Sequence, residues 1–518
     1  MTAGPLWDLL SIPGAMDPTR EILCYQDRSW TYETLMAEAV RFAPNLAKTM
    51  SIMEVNTDLA VALVYSSFFA SSELSLLNFR LKIEEVEEIL DHRVTGTFFV
   101  GNRYEEIARR IANCGIAASV GTLDTEGFEI IELDGFPLEG SEGDSSGIGR
   151  SDVVLFTSGT TSSPKPVVID SASLVAYVAG TTSLPTSETA AQSTLLTMPI
   201  FHVAGLIGLL RSVFMGRKVV VHSQFEADTW LKAIERDGIT HTFVVPTMLR
   251  RILDSEGFDP SRLLPLEVLS YGGGPMPPSL IEEALERFPD SVHFASTYGL
   301  TEAGGTVCVL TPHDHQAVRN GEVSKNRLHS VGSPVPDIRI AIIDDDRNEL
   351  AAGHVGEVYV VGPRLPLEEE PLINFGRRWV RTGDLGYIDG EGYLHLRGRA
   401  DDMIIRGGEN ISPLEIEEVL VGHPAITQAA VIGIADETWG EKIAAYVILA
   451  SDIDVTELPD YCKVHLASFK VPEMYYVVES LPMTSTGKVM KRALRDAGSF
   501  PEEGRLLQAQ AIDGSLYE

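Results

Sequence analysis

Between residues 155 and 168 the chain reads L-F-T-S-G-T-T-S-S-P-K-P-V-V, a set of side chains suited to holding a polyphosphate. Thr157, Ser158, Gly159, Thr160 and Thr161 supply hydroxyls and unhindered backbone N–H groups, and Lys165 adds a positive charge. Such groups gathered in one loop can cradle phosphate oxygens. The apolar run 153–156 just before them has the composition of a buried strand, so the loop leaves the end of a sheet. By itself the stretch fits an anion cradle and a ligand-free Ser/Thr-rich surface turn equally well.

Four further motifs carry chemistry-bearing residues. In Ser296-Thr297-Tyr298-Gly299-Leu300-Thr301-Glu302 an aromatic could stack on a base and a carboxylate could hold Mg²⁺ against phosphates. In Tyr271-Gly272-Gly273-Gly274-Pro275 three glycines after a strand would let a flat group lie on bare backbone, although a plain turn explains them as well. Arg381-Thr382-Gly383-Asp384 offers a carboxylate for two ribose hydroxyls, in a setting where an aspartate is more often a turn residue. Finally, Thr484-Ser485-Thr486-Gly487-Lys488 puts one lysine on a glycine-flexed loop, where an ordinary solvated lysine is the plain alternative.

The elements that must position these residues alternate along most of the chain. Helical periodicity over 32–47 and 280–288 is interleaved with β-rich runs at 219–222, 242–245 and 268–271, which predicts layered α/β architecture with largely parallel sheets. Over 330–398 short strands broken by Gly, Pro and Asp predict a smaller β-rich subdomain, with strands at 339–343 and 357–361. After residue 400 the pattern restarts, with a helix at 414–421 and strands at 429–434 and 444–449. The expected organisation is an N-terminal domain over 1–398, a connection at 399–402, a compact second domain over 403–497 and a polar tail at 498–518.

Composition narrows the function. The 518 residues carry 41 basic and 74 acidic side chains, a net charge of −33, which disfavours nucleic acid as a partner and requires any nucleotide to be held by a local site. Cys24, Cys114, Cys308 and Cys462 lack metal-site or disulfide-framework spacing, as expected of a cytoplasmic protein. Residues 1–18 lack the charge and apolar pattern of an export signal, and the apolar segment 59–72 is too short to span a bilayer. These features leave a homodimer open.

In their order and spacing the five motifs resemble the adenylate-forming superfamily of acyl-CoA synthetases, amino-acid-adenylating domains and firefly-type luciferases, over about residues 21–494. Arg28-Ser29-Trp30-Thr31-Tyr32 and Leu77-Asn78-Phe79-Arg80-Leu81 look like early landmarks of that family. The resemblance implies an α/β protein: a large N-terminal domain of layered α/β subdomains plus a β-rich subdomain, and a small mobile α+β C-terminal domain swinging about a hinge at Asp401. It further implies ATP, Mg²⁺ and coenzyme A as cofactors and a carboxylic acid, or its adenylate, as the small-molecule partner. Thr157, Ser158, Gly159, Thr160, Thr161 and Lys165 match the phosphate loop, and Gly272, Gly273, Gly274, Tyr298 and Gly299 match the adenine site. Asp384 and Arg399 match the ribose contacts. Thr301 and Glu302 match catalytic positions, with Glu302 the Mg²⁺ ligand, and Lys488 matches the lysine that steadies carboxylate and α-phosphate.

For thioester formation, Gly407 and Gly408 in Arg406-Gly407-Gly408-Glu409-Asn410 resemble the lining of a pantetheine tunnel, and Trp439 matches a position near the CoA end. His202 stands where amino-acid-adenylating relatives place an aspartate for the substrate ammonium, which implies an acid without an α-amine and an acyl-CoA ligase. Apolar or small residues at 203–210, 271–274 and 295–304 suggest a hydrophobic acyl group.

The chain departs from the family's T-S-G-T-T-G-x-P-K-G loop at Ser162 and Pro166. A serine required at positive φ costs on the order of 1 kcal/mol or more, and a proline removes an N–H that could meet phosphate. Besides the complete ligase, the sequence therefore accommodates a thioesterification-only enzyme fed with an adenylate by a partner, and a non-catalytic acyl or nucleotide binder.

Overall fold

The computed structural model describes residues 3–92, 95–114, 117–123, 128–132, 152–157, 164–372, 376–451, 453–484 and 488–496. Ser158, Gly159, Thr160, Thr161 and Ser162 lie outside them, as does the tail 498–518.

Two large sheets form the N-terminal part. One has nine strands in the spatial order Ser333–Pro334, Gly305–Leu310, His293–Leu300, Val268–Gly272, His241–Val244, Ser193–Leu196, Lys218–Val221, Glu21–Tyr25 and Arg28–Thr31. The other has seven, in the order Phe128–Glu132, Ala117–Leu123, Thr95–Gly101, Thr49–Met53, Glu73–Leu77, Val153–Thr157 and Lys165–Ile169. The inner strands of both run parallel, with antiparallel strands at the edges. Parallel strands need crossover connections, and the alternating helices supply them.

Residues from both sheets share one apolar core. The segment expected to be too short for a bilayer forms the helix Asp58–Ala70, buried along nearly its whole length, as its unbroken hydrophobicity requires. Among the described residues no helix is long and apolar enough to cross a membrane.

The helix expected over 32–47 ends earlier, at Tyr32–Phe42, and gives way to a tighter turn at Ala43–Asn45. Pro44 is the reason, since it lacks the N–H that would continue the ladder. The helix start was legible: Thr31 and Thr34 exchange side-chain bonds to each other's backbone N–H groups and close the first turn.

A smaller antiparallel sheet follows, built from Arg339–Ile343, Gly356–Val361, Leu367–Leu372, Gly376–Ile388 and Leu394–Arg399. Beyond a single turn at Ala400–Asp402 a separate sheet begins, with strands Ile404–Arg406, Glu409–Ile411, Ile426–Asp436, Gly440–Leu449 and Met474–Val477. The helices Pro413–Val421 and Leu458–His465 pack on it around a core of their own. One contact between this small C-terminal domain and the rest is Ser412, whose Oγ donates to the Arg397 carbonyl at 2.5 Å.

Asp58 ties the first landmark motif to the core. It is fully buried, accepts Arg28 Nη2 at 2.6 Å and the Trp30 indole N–H at 2.9 Å, and sits in the first turn of its helix. Asp58→Ala removes the acceptor of the buried Trp30 indole N–H and the anion that faces Arg28, and should lower stability by about 2 kcal/mol, read as a reduced urea midpoint. A midpoint equal to that of the unsubstituted protein would show that water replaces the carboxylate at no cost.

Candidate active site

The motif residues meet where the C-terminal ends of the parallel strands in the nine-stranded sheet face the small domain. Gly272 closes the strand Val268–Gly272, and a Cβ there would fall 2.2 Å from the Thr297 carbonyl oxygen, so the two strands touch backbone to backbone. Gly273 follows with φ +78°, a conformation that side chains resist. The result is a bare ledge, suited to a planar base.

Tyr298 stands on the neighbouring strand and donates its hydroxyl to Asp384 Oδ2 at 2.5 Å. Burial, then the nearby Asp384 charge, keeps that phenol protonated far above its ordinary range. Asp384 Oδ1 accepts Arg399 Nη1 at 3.1 Å, and the same Nη1 donates to the Thr382 carbonyl at 2.7 Å. Thr382 Oγ1 in turn takes the Asp384 N–H at 3.0 Å. The ribose candidates thus form one network, with lone pairs of the carboxylate left to accept further hydroxyls.

Lys488 comes from the small domain. A Cβ on Gly274 would lie 3.9 Å from Lys488 Cγ, which puts the lysine stem over the glycine ledge. The residue keeps solvent access, yet its ammonium stands among enough protein atoms for desolvation to pull its pKa below the usual lysine value. Asp384 and Glu302 oppose that shift and Arg399 adds to it. Backbone and side-chain bonds between Thr484 and Lys488 pin the base of the loop: the Thr484 N–H meets the Lys488 carbonyl at 2.7 Å, and the Lys488 N–H meets Thr484 Oγ1 at 3.0 Å.

His202 caps the helix Val203–Phe214, and its Nδ1 accepts the Ala204 N–H at 3.2 Å. That bond assigns the ring proton to Nε2. Desolvation, with a smaller contribution from the Lys488 charge, lowers its pKa to about 4, so the ring is a neutral N–H donor. Asn56, which sequence reasoning passed over, fixes the approach to it. The Asn56 Nδ2 donates to the Met198 carbonyl at 2.9 Å and its Oδ1 accepts the Ile200 N–H at 3.0 Å. The partners lie more than a hundred positions apart, so no local signal announces the contact.

Glu302 and Thr301 occupy a short turn at Thr301–Ala303, with Glu302 exposed to the cleft. Among the described residues no group of three or more His, Cys, Asp or Glu side chains could hold a metal alone. A single carboxylate completed by substrate phosphates is an ordinary Mg²⁺ arrangement, and Glu302 fits it. Thr157 ends its strand opposite Lys165, which is exposed at the start of Lys165–Ile169. Pro166 lies in that edge strand facing Phe156, where a missing N–H is tolerated. Gly299 is exposed beside the turn.

The second set of residues lies on the small domain's own surface. Gly407 and Gly408 turn the hairpin between Ile404–Arg406 and Glu409–Ile411, and the Gly407 N–H meets the Trp439 carbonyl at 2.8 Å. Trp439 is 46% exposed, with Arg406 4.9 Å above its ring, so it is not a core aromatic. Asp401 is exposed in the connecting turn, and the adjacent Asp402 pairs with Arg495 at 2.8 Å.

A family model for AMP-binding enzymes matches residues 13–366, and a model for the C-terminal domain of AMP-binding enzymes matches residues 415–488. The chain belongs to the AMP-binding enzyme family. Within that family it lies in the CoA-ligase branch of the adenylate-forming enzymes and is an AMP-forming ligase of the acid–thiol class. The 2-succinylbenzoate–CoA ligase of Bacillus subtilis (strain 168) is 32% identical over 515 residues, covering 96% of this chain and 99% of that protein. The fatty acid–[acyl-carrier-protein] ligase ScoC of Streptomyces coeruleorubidus is 31% identical over 505 residues, covering 93% and 94%. The o-succinylbenzoate CoA synthetase of Bacillus subtilis, solved with its acyl-adenylate intermediate OSB-AMP, superimposes with a TM-score of 0.77 at 29% identity and covers 98% and 100%. The same family member solved with ATP and a magnesium ion gives 0.75 at 29%, covering 95% and 98%.

His202 makes a pH prediction. With its pKa held near 4, it stays neutral in the folded enzyme as pH falls from 8 to 5, while an ordinary histidine would charge near 6.5. The pH profile of adenylate formation should therefore show no His202-dependent limb near 6.5. A limb there that disappears in His202→Gln would contradict the neutral, desolvated imidazole.

Proposed function

We propose that the protein converts a hydrophobic carboxylic acid lacking an α-amine to its CoA thioester through an acyl-AMP intermediate, with the small domain changing orientation between the two half-reactions. The observation that carries this reading is Lys488, delivered by the small domain onto the Gly274 ledge beside Asp384, Arg399 and Glu302.

In the first half-reaction a carboxylate oxygen of the acid attacks the α-phosphorus of ATP, the bond to the bridging oxygen breaks, and pyrophosphate departs. Lys488 must keep its proton to offset charge between carboxylate and α-phosphate, and Asp384 and Glu302 favour that charged form. His202 offers a neutral Nε2–H to the carboxylate, at a position where an anion would be needed to pair an ammonium. Tyr298 and the glycine ledge hold the base, and Asp384 with Arg399 holds the ribose. Mg²⁺, brought with ATP and held by Glu302, would neutralise phosphate charge.

The second half-reaction needs the lysine loop gone and a thiol path in its place. The turn Ala400–Asp402 is the pivot, and turning there breaks the Ser412–Arg397 bond. The exposed hairpin at Gly407 and Gly408, with Trp439 behind it, then lines the approach of the pantetheine arm. Relatives that act on 2-succinylbenzoate or on fatty acids make an acid with an apolar body the reading to test first. With Cys24, Cys308 and Cys462 as free thiols, a cytoplasmic setting fits this role.

Pro166 does not favour the thioesterification-only reading, because it belongs to an edge strand. A paired assay separates the readings: free acids with ATP, Mg²⁺ and CoA in one arm, synthetic acyl adenylates with CoA in the other. Turnover from a free acid is expected, and product from the adenylate arm alone would overturn the complete-ligase reading. Lys488→Ala should slow adenylation by about 100-fold or more while leaving thioester formation within about threefold. Equal loss in both steps would contradict the reorientation.

A further inference from the structure

The turn after Glu302 is clasped from outside by an arginine and a tyrosine. Arg364 lies just past the strand Gly356–Val361 of the small antiparallel sheet and is 8% exposed. Its Nη1 donates to the Ala303 carbonyl at 2.6 Å and its Nη2 to the Thr306 carbonyl at 2.7 Å, so one planar fork closes on both ends of Ala303-Gly304-Gly305-Thr306. Its Nε donates to Asp337 Oδ2 at 2.7 Å, which fixes the plane of the fork.

Tyr177 completes the clasp. The guanidinium carbon lies 4.7 Å from its ring centroid, and its hydroxyl accepts the Thr306 N–H at 3.4 Å. Gly304 and Gly305 have φ of +65° and +143°, and a Cβ on Gly305 would meet the Tyr177 ring at 3.0 Å. A diglycine turn has no side chains with which to hold its own shape. Beyond its own Gly304 N–H to Thr301 carbonyl bond at 2.9 Å and its strand pairing, what orders it is external: a buried guanidinium, whose desolvation is offset by three charge-assisted hydrogen bonds.

We propose that Arg364 is a positioning residue for the first half-reaction. By clamping the Ala303 and Thr306 carbonyls it sets the direction of the Glu302 carboxylate and the backbone of Gly304 and Gly305 beside the acyl group. The role couples the small antiparallel sheet to the nine-stranded sheet that carries Glu302. Lysine cannot substitute, because a point charge on a flexible stem does not reproduce a two-pronged fork. The inference rests on the reading of Glu302 as the carboxylate that meets Mg²⁺ with ATP.

Two variants of the full-length protein test it, Arg364→Lys and Arg364→Met. In ATP–pyrophosphate exchange, kcat should fall about 10-fold and the Mg²⁺ concentration for half-maximal rate should rise about fivefold in both. With a synthetic acyl adenylate as substrate, KM for CoA should stay within about twofold. Independently of activity, amide hydrogen exchange of the 298–310 peptide should quicken in both variants while the strand Val268–Gly272 is unchanged. An unaltered Mg²⁺ requirement, an equal loss in both half-reactions, or unaltered exchange in that peptide would each overturn the proposal. If the unsubstituted enzyme gives no pyrophosphate exchange, the adenylation reading itself falls. The deuterium result then decides whether Arg364 orders the turn: faster exchange supports it, unchanged exchange overturns it.

Discussion

The Asp384 carboxylate joins three parts of the chain at one point. Its oxygens take the Tyr298 hydroxyl from the nine-stranded sheet and the Arg399 guanidinium from the last strand before the connecting turn, while its own strand belongs to the small antiparallel sheet. The Asp384 and Arg399 backbones are also paired in register. Because one anion satisfies donors from separate layers, the proposed base ledge, ribose contacts and hinge share a reference position. None of them can shift without leaving a donor or acceptor unmet.

The same cleft resolves a conflict between global and local charge. A chain with net charge −33 repels polyanions at long range, yet ATP is one. Lys488 and Arg399 supply positive charge at contact distance, where screening by salt is weak. Desolvation, and to a lesser degree the nearby Arg399 charge, makes the Lys488 ammonium less firmly charged than an ordinary one. In the proposed function an arriving phosphate would restore the balance and favour the charged lysine.

The sequence revealed what is local or patterned. Strand and helix alternation, the glycine ledge, Tyr298, Glu302, Asp384 and Lys488 could be placed because each sits in a short motif with a chemical rationale. Strand limits in the small domain were underestimated: Ile426–Asp436 and Gly440–Leu449 form a long antiparallel pair whose ends pass through polar residues that hydrophobic patterning does not register. Asn56 and Arg364 were invisible for a different reason. Each is a single polar residue whose partners lie 142 to 166 and 27 to 61 positions away, so its role exists only in the folded chain. The exposure of Trp439 was likewise not legible, because an aromatic in isolation reads equally as core.

The strand that carries Pro166 closes one end of the seven-stranded sheet and lies against the Thr301–Ala303 turn. An open sheet edge offers unpaired N–H and C=O groups on which another chain can template itself. Proline and the exposed Lys165 at its start spoil that template, one by removing a donor and the other by adding a charge. The residue that departs from the phosphate-loop pattern thus also makes this sheet edge a poorer partner for another strand.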